Sequence, residues 1–258
     1  MKRFAFLLYG VIVYTGFFAA FLYLIGFVGN IIVPKGIDGP LAMPLWQALS
    51  INFGLVLLFA VQHSIMARGW FKKWWTKFVP EPIERSTYVL FTVIALVLLF
   101  VFWQPMGGEI WSIENGLIVG ILWALFVLGW TILLVSTFLI NHFDLFGLRQ
   151  VWLNFRQKPY THLKFRTPFF YKWIRHPLYF GFILAFWSAP EMSSNRFVLS
   201  ILFTLYILKA IQWEEKDLIT HFGETYKKYA SRVPKILPTF SNKEISQQPT
   251  YETYIKGN

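Results

Sequence analysis

Arg175-His176-Pro177-Leu178-Tyr179-Phe180-Gly181 opens the stretch around which this chain is organised, and Glu214-Glu215, Phe222-Gly223, Tyr226, Tyr229, Val233-Pro234 and Pro238 close it. Pro177 suits the first turn of a helix, where a missing N–H is no loss, and its ring drives the preceding His176 out of helical geometry. Arg175 and His176 therefore read as cap residues. The apolar run that follows predicts a helix to the neighbourhood of Pro190, a turn over Glu191 to Asn195, and a return helix from Arg196 to Trp213. A hairpin brings its two open ends together. The Arg-His pair is thus expected to face Glu214 and Glu215, beside a helix N-terminus whose unpaired N–H groups favour anions.

Outward from the hairpin, composition sets the class. Apolar residues make up 56% of the 258 positions and charged ones 14%, and the mean hydropathy is +0.49. Those values belong to an integral membrane protein. In lipid every backbone polar group needs an internal partner, which helices supply, and no alternating strand pattern competes. The expected fold is an all-α, polytopic membrane helical bundle. The absence of cysteine excludes disulfides, thiolate metal sites and a cysteine nucleophile. The run from Phe4 to Val28 reads as a retained span, being longer than a signal-peptide core and lacking a small-residue cleavage site.

Spans are expected over residues 4–28, 45–66, 86–104, 116–140, 177–190 and 196–213. The fifth is too short to cross a bilayer upright and needs shielding by its neighbours. The domain reading is one membrane unit over 1–258, with four upstream spans in 1–140, a loop at 141–176, the hairpin and a tail helix in 177–240, and a loose terminus at 241–258. With both termini, the 67–85 loop and the 141–176 loop placed in the cytoplasm, every Lys and Arg except Lys35 and Arg196 falls inside. The net charge of +11 is therefore a record of topology, with the basic residues scattered between apolar runs rather than gathered for nucleic acid. All 5 histidines fall on that same half.

The polar groups at span ends are then Gln62 and His63, Glu84, Arg85 and Tyr88, Asn141, His142 and Asp144, and the two hairpin pairs. They are expected to converge on one cytoplasmic mouth, and ionisable groups at membrane depth are costly enough to mark a functional site. Beyond the return helix, Leu218, Phe222, Tyr226 and Tyr229 fall on one face of an amphipathic tail helix running from Glu214 to Tyr229, weakened midway by Gly223 and ended by Pro234 and Pro238.

The hairpin pattern Arg175-His176-Pro177-x-Tyr179-x-Gly181 with Glu214-Glu215, Phe222-Gly223-x-x-Tyr226-x-x-Tyr229 and Val233-Pro234 resembles the isoprenylcysteine carboxyl methyltransferase superfamily of membrane enzymes. Farther upstream, Gln62-His63-Ser64-Ile65-Met66-Ala67-Arg68, Pro82-Ile83-Glu84-Arg85-Ser86-Thr87-Tyr88 and Asn141-His142-Phe143-Asp144-Leu145-Phe146-Gly147 look like the methanethiol S-methyltransferase family within it. The pattern departs at Lys235, where the superfamily often carries Arg, and at Trp187-Ser188-Ala189, where a late glycine is usual. The resemblance implies S-adenosylmethionine as cofactor, held by Arg175, His176, Pro177, Tyr179, Glu214, Glu215 and Tyr226, and a small thiol as acceptor. His63, Arg85 and His142 are the candidates for handling the thiol proton or the thiolate, with Glu84, Tyr88 and Asp144 lining the substrate side. It also implies an inner-membrane enzyme whose active site faces the cytoplasm.

Several other readings have defined signatures. A soluble Rossmann methyltransferase is excluded, because no G-x-G-x-x-G loop follows a strand. His142 with Asp144 lacks a spaced third ligand, so no metal is assigned. An NADPH-dependent membrane reductase would need cations for a 2′-phosphate, for which Lys172, Lys216 or Arg232 are placed. A prenylcysteine carboxyl methyltransferase would need a lipid-sized lateral opening. A channel or transporter would call for polar or broken helices at mid-membrane, where this chain is unbroken Leu, Val, Phe and Ile.

Overall fold

The computed structural model describes residues 1–161 and 165–237. His162, Pro238 and the expected loose terminus lie outside the described residues. In chain order the elements are α1 (Lys2–Gly29), α2 (Leu45–Met66), α3 (Gly69–Trp75), α4 (Glu81–Phe102), β1 (Glu109–Ser112), α5 (Gly116–Ile140), α6 (His142–Leu145), α7 (Leu148–Phe155), a 3₁₀ turn at Phe169–Lys172, α8 (Pro177–Trp187), β2 (Glu191–Ser193), α9 (Ser194–Phe222) and α10 (Glu224–Arg232). This is an all-α polytopic membrane bundle. Five helices, α1, α2, α4, α5 and α9, are long and apolar enough to span, and α8 is a short sixth. Their windows are at most half buried within the protein. The rest of the apolar surface, Leu117, Val127 and Leu205 among it, stays exposed, as a lipid-facing surface must.

Helix α4 packs against both α1 and α2, and α5 lies along α8. Phe27, Leu99, Trp103, Phe126, Phe186 and Leu199 fill the core between these layers. The α5–α8 contact explains Gly181 of the hairpin motif. A Cβ built there would lie 2.6 Å from the Gly129 carbonyl oxygen and 2.8 Å from the Leu133 nitrogen, and one on Gly129 would lie 2.6 Å from the Ala185 nitrogen. Backbone meets backbone, so neither position has room for a methyl group. We expect Gly181→Ala to force the two helices apart at a cost of about 1–3 kcal/mol, read as a lowered thermal midpoint in detergent. Gly120→Ala, on the open face of α5 with nothing within 4 Å, is the control that should melt like the parent.

Three features differ from the sequence expectation. Helix α8 ends at Trp187 rather than near Pro190, and residues 191–193, read as a turn, pair antiparallel with β1. That two-stranded sheet had no alternating pattern to announce it; it is a non-local pairing that ties the hairpin turn to the loop after α4, reinforced by the Trp111 indole donating to Ala189 O at 3.1 Å. The tail helix also does not begin at Glu214. Helix α9 runs unbroken through Glu214 and Glu215 to Phe222, because nothing before Gly223 stops it; Gly223, at φ 55°, ends it and starts α10.

Lys35 and Arg196, the two exceptions to the charge asymmetry, are structural. Lys35 Nζ donates to the carbonyls of Val101 at 2.6 Å and Trp103 at 3.0 Å, capping the C-terminus of α4. Arg196 is buried with its guanidinium 5.2 Å from the Phe126 ring centroid and donates to Ser188 O. Both serve the end of the bundle opposite the hairpin mouth.

Candidate active site

His176 is the N-cap of α8, at φ −124° and ψ 61°, a conformation imposed by Pro177 behind it. The backbone N–H groups of Arg175 and His176 donate to Pro234 O at 2.9 Å and Lys235 O at 3.0 Å, so the Val-Pro segment is strapped along the cap residues. Above that strap Glu215 gathers the charges. Arg175 Nη1 lies 2.8 Å from Glu215 Oε1, His176 Nε2 lies 3.2 Å from the same oxygen, and Lys235 Nζ lies 3.4 Å from Oε2. Glu214 is the more exposed acid, 3.8 Å from His176 Nδ1. The open ends of the hairpin do face one another. Lys235, the departure from the superfamily pattern, reaches the acid all the same.

Helix α10 folds back over this cluster. Tyr229 donates to Tyr171 O at 2.6 Å, and Phe165 packs on Phe222, Tyr226 and Tyr229. Tyr226 is 2% exposed. Burial first and the Glu215 carboxylate second push its phenol up to about 12, so it remains a proton donor at neutral pH. Arg175 Nε is buried without a hydrogen-bond partner, and the Tyr226 hydroxyl faces the Arg175 side chain. An orphaned buried donor in a charged cradle is what a polar ligand would satisfy. Tyr179 lies one turn into α8, its ring 5.7 Å from His176 and within electrostatic reach of Glu214.

The upstream residues divide into two groups. His63, near the end of α2, has the Tyr88 hydroxyl of α4 2.9 Å from Nε2 and 3.0 Å from Nδ1, and Thr92 3.2 Å from Nδ1. Thr92 in turn donates its hydroxyl proton to Tyr88 O. Arg85 stacks 4.6 Å over the Tyr88 ring and donates Nε to Leu145 O at 2.7 Å. Tyr88 and Tyr206 are in turn the electrostatic neighbours of Tyr179. The direct contact from the end of α2 to α9, which carries Glu214 and Glu215, is the Ser64–Tyr206 bond at 3.1 Å.

His142 belongs elsewhere. Its Nδ1 meets Thr137 and its Nε2 meets Tyr14, both at 2.8 Å, and its ring lies flat on Phe138 at 4.1 Å. It lines a cavity of about 20 Å³ between Phe17, Leu133 and Phe146. Burial lowers its pKa below the usual imidazole value, so the neutral ring is favoured. The unfolded imidazole titrates at about 6.5; below that pH the unfolded chain takes up a proton that the folded protein refuses, and stability is lost as pH falls. The thermal midpoint of the parent should therefore drop on acidification through that window, and the drop should be smaller for His142→Asn. Equal pH slopes would contradict the buried neutral assignment.

Asp144 is held by Arg149 at 2.8 Å and Tyr160 at 3.2 Å, folding its own loop. Glu84 sits at the mouth near Lys72, whose pKa is lowered by burial first and by Arg85 second, with Glu84 opposing. Among the described residues no three His, Cys, Asp or Glu side chains are grouped to hold a metal. Sequence reasoning passed over three contacts that shape the site: Ser64 with Tyr206, Arg68 with Asp217, and Tyr171 with Tyr229. Tyr206 carried a signal, a lone phenol in an apolar span two turns before Glu214.

The chain is 53% identical to the methanethiol S-methyltransferase of Crocosphaera subtropica over 92% of its length and 93% of that protein, and 49% identical to that of Mycobacterium tuberculosis over 92% and 98%. It belongs to the methanethiol S-methyltransferase family. Membership at that coverage takes in the upstream motifs as well as the hairpin. A more distant likeness, 28% identical over 83% of the chain and 78% of the relative, is to Nurim of Xenopus laevis, in keeping with a wider superfamily of which this family is a branch. No family model and no solved structure matches the chain. A methyltransferase needs a methyl donor.

Proposed function

We propose that the protein transfers a methyl group from S-adenosylmethionine to methanethiol, giving dimethyl sulfide and S-adenosylhomocysteine. The observation that carries this reading is family membership over 92% of the chain, a span that takes in both the hairpin cradle and the His63 group. The cradle's chemistry fits the cofactor. Arg175, with Nε unpaired, and the N-terminus of α8 suit a carboxylate; Glu214 and Glu215 suit an ammonium or ribose hydroxyls; Tyr226 offers a buried hydroxyl. When bound, S-adenosylmethionine supplies a methyl on a sulfonium, whose carbon–sulfur bond breaks, leaving its electron pair on sulfur, as a thiolate lone pair makes the new bond.

The chain's own task is to prepare the thiol. Thiols are mostly protonated at neutral pH, and the His63 ring is the base we assign. Tyr88 and Thr92 hold the ring in place, and Arg85 stacked on Tyr88 adds positive charge that favours a thiolate nearby. Opposite charges on thiolate and sulfonium cancel at the transition state, so a poorly hydrated site between α2, α4 and α9 favours reaction. Positioning supplies much of the remainder.

Charge asymmetry supports an inner-membrane protein with its termini and this site on the cytoplasmic side. A reporter fused at the C-terminus should read cytoplasmic; a periplasmic reading would overturn that orientation. The activity is tested by headspace dimethyl sulfide from membranes given methanethiol and S-adenosylmethionine, against methyl-ester formation on a farnesylated cysteine. Ester without dimethyl sulfide would sink the thiol reading.

A further inference from the structure

We infer that Tyr206, held by Ser64 and backed by Phe59, sets the size of the thiol this protein accepts. The inference deepens the proposed function and rests on it. Tyr206 lies on α9 about 12 Å along the axis before Glu214, on the same helix that carries the acids of the cradle. Its hydroxyl is 3.1 Å from Ser64 Oγ on α2, and it neighbours Tyr179, which lies against His176. It shares with His63 a contact to Phe59 and lies on the helix that carries the cradle acids, the position from which we infer that it borders the acceptor.

The position of the ring is tied down from several directions. Phe59 meets Tyr206 edge-on at 6.0 Å and 83°, lies parallel to His63 at 5.2 Å and 13°, and leans on Phe203 at 5.5 Å. The wall and the proposed base thus share one buttress. Just beyond, Arg68 donates Nε to Ser64 O at 3.1 Å and pairs with Asp217 at 2.6 Å, fastening the end of α2 to α9. The gap between these two helices cannot widen without breaking that pair and the Ser64–Tyr206 bond together.

A wall of this kind is what selection of a one-carbon thiol needs. Every added methylene gains affinity by burial unless something excludes it, so a site open toward α9 would prefer longer thiols. An aromatic ring fixed by a hydrogen bond and an edge contact removes the space those carbons would occupy. Tyr206 acts here as a specificity residue; the proton chemistry stays with His63.

The test offers equal methanethiol and 1-propanethiol with S-adenosylmethionine to the full chain in detergent and reads the ratio of methyl propyl sulfide to dimethyl sulfide. Tyr206→Ala and Phe59→Ala should each raise that ratio at least about tenfold, the lower end of what one methylene is worth in a pocket. Tyr206→Phe, which keeps the ring and loses the Ser64 bond, should raise it less. A second readout needs no turnover: methyl propyl sulfide should raise the thermal midpoint of the two alanine variants more than that of the parent. Parental ratios and parental shifts in alanine variants that still bind S-adenosylmethionine would overturn the inference. A parent that makes no dimethyl sulfide would instead overturn the proposed function. If Tyr206→Ala does not fold, Phe59→Ala and Tyr206→Phe decide the matter between them.

Discussion

Replacing Glu215 by alanine is expected to weaken S-adenosylmethionine binding by about 2–3 kcal/mol, roughly 30- to 150-fold. Glu215 is the acid on which Arg175, His176 and Lys235 converge. Its loss removes an acceptor from the cradle and leaves Arg175, whose side chain is 9% exposed, without its counter-ion. Arg175→Ala should weaken binding by a similar amount from the other side of the pair. Because both residues act in one network, the double variant should lose less than the sum. Calorimetric or filter binding on the purified protein measures all three. Parental affinity in both single variants would show that the cofactor sits elsewhere.

The second large effect is expected at His63. His63→Ala should lower dimethyl sulfide formation by about 100-fold or more at neutral pH, the usual contribution of a general base, while S-adenosylmethionine affinity stays near the parental value. The deficit should shrink as pH rises and solvent hydroxide ionises the thiol without help. A packing defect would not recover in that way. His142→Asn is the informative partner: with both ring nitrogens engaged by Tyr14 and Thr137, it should lose stability with no pH-rescued turnover. If the pH rescue followed His142 instead, the base would have to be reassigned.

The hairpin was legible because its signals are local. Pro177 alone determines that His176 caps a helix, and two apolar runs joined by a short turn can only return to where they began. Arg175 and Glu215 meet for that reason. The separation of His63 from His142 was not legible. Both lie at span ends on the same side of the bundle, and both have a threonine and a tyrosine as ring partners. Which cleft each enters depends on how α2 and α5 are placed around α4 and α8. Span ends alone carry no information about that.

Apolar runs, charge asymmetry and the spacing of Pro and Gly by themselves determined the class of fold, the six apolar helices and the meeting of the hairpin ends, since lipid leaves the backbone few other ways to satisfy its hydrogen bonds. Only the tertiary structure decided the β1–β2 clasp, the placing of Lys35 and of the buried Arg196 away from the mouth, and the contacts that Ser64 and Phe59 make with Tyr206 across two helices. Each of these depends on side chains or strands distant in sequence meeting at a particular helix spacing. That spacing is set by close approaches such as Gly129 against Gly181, where backbones touch and no residue pattern within either helix records the other.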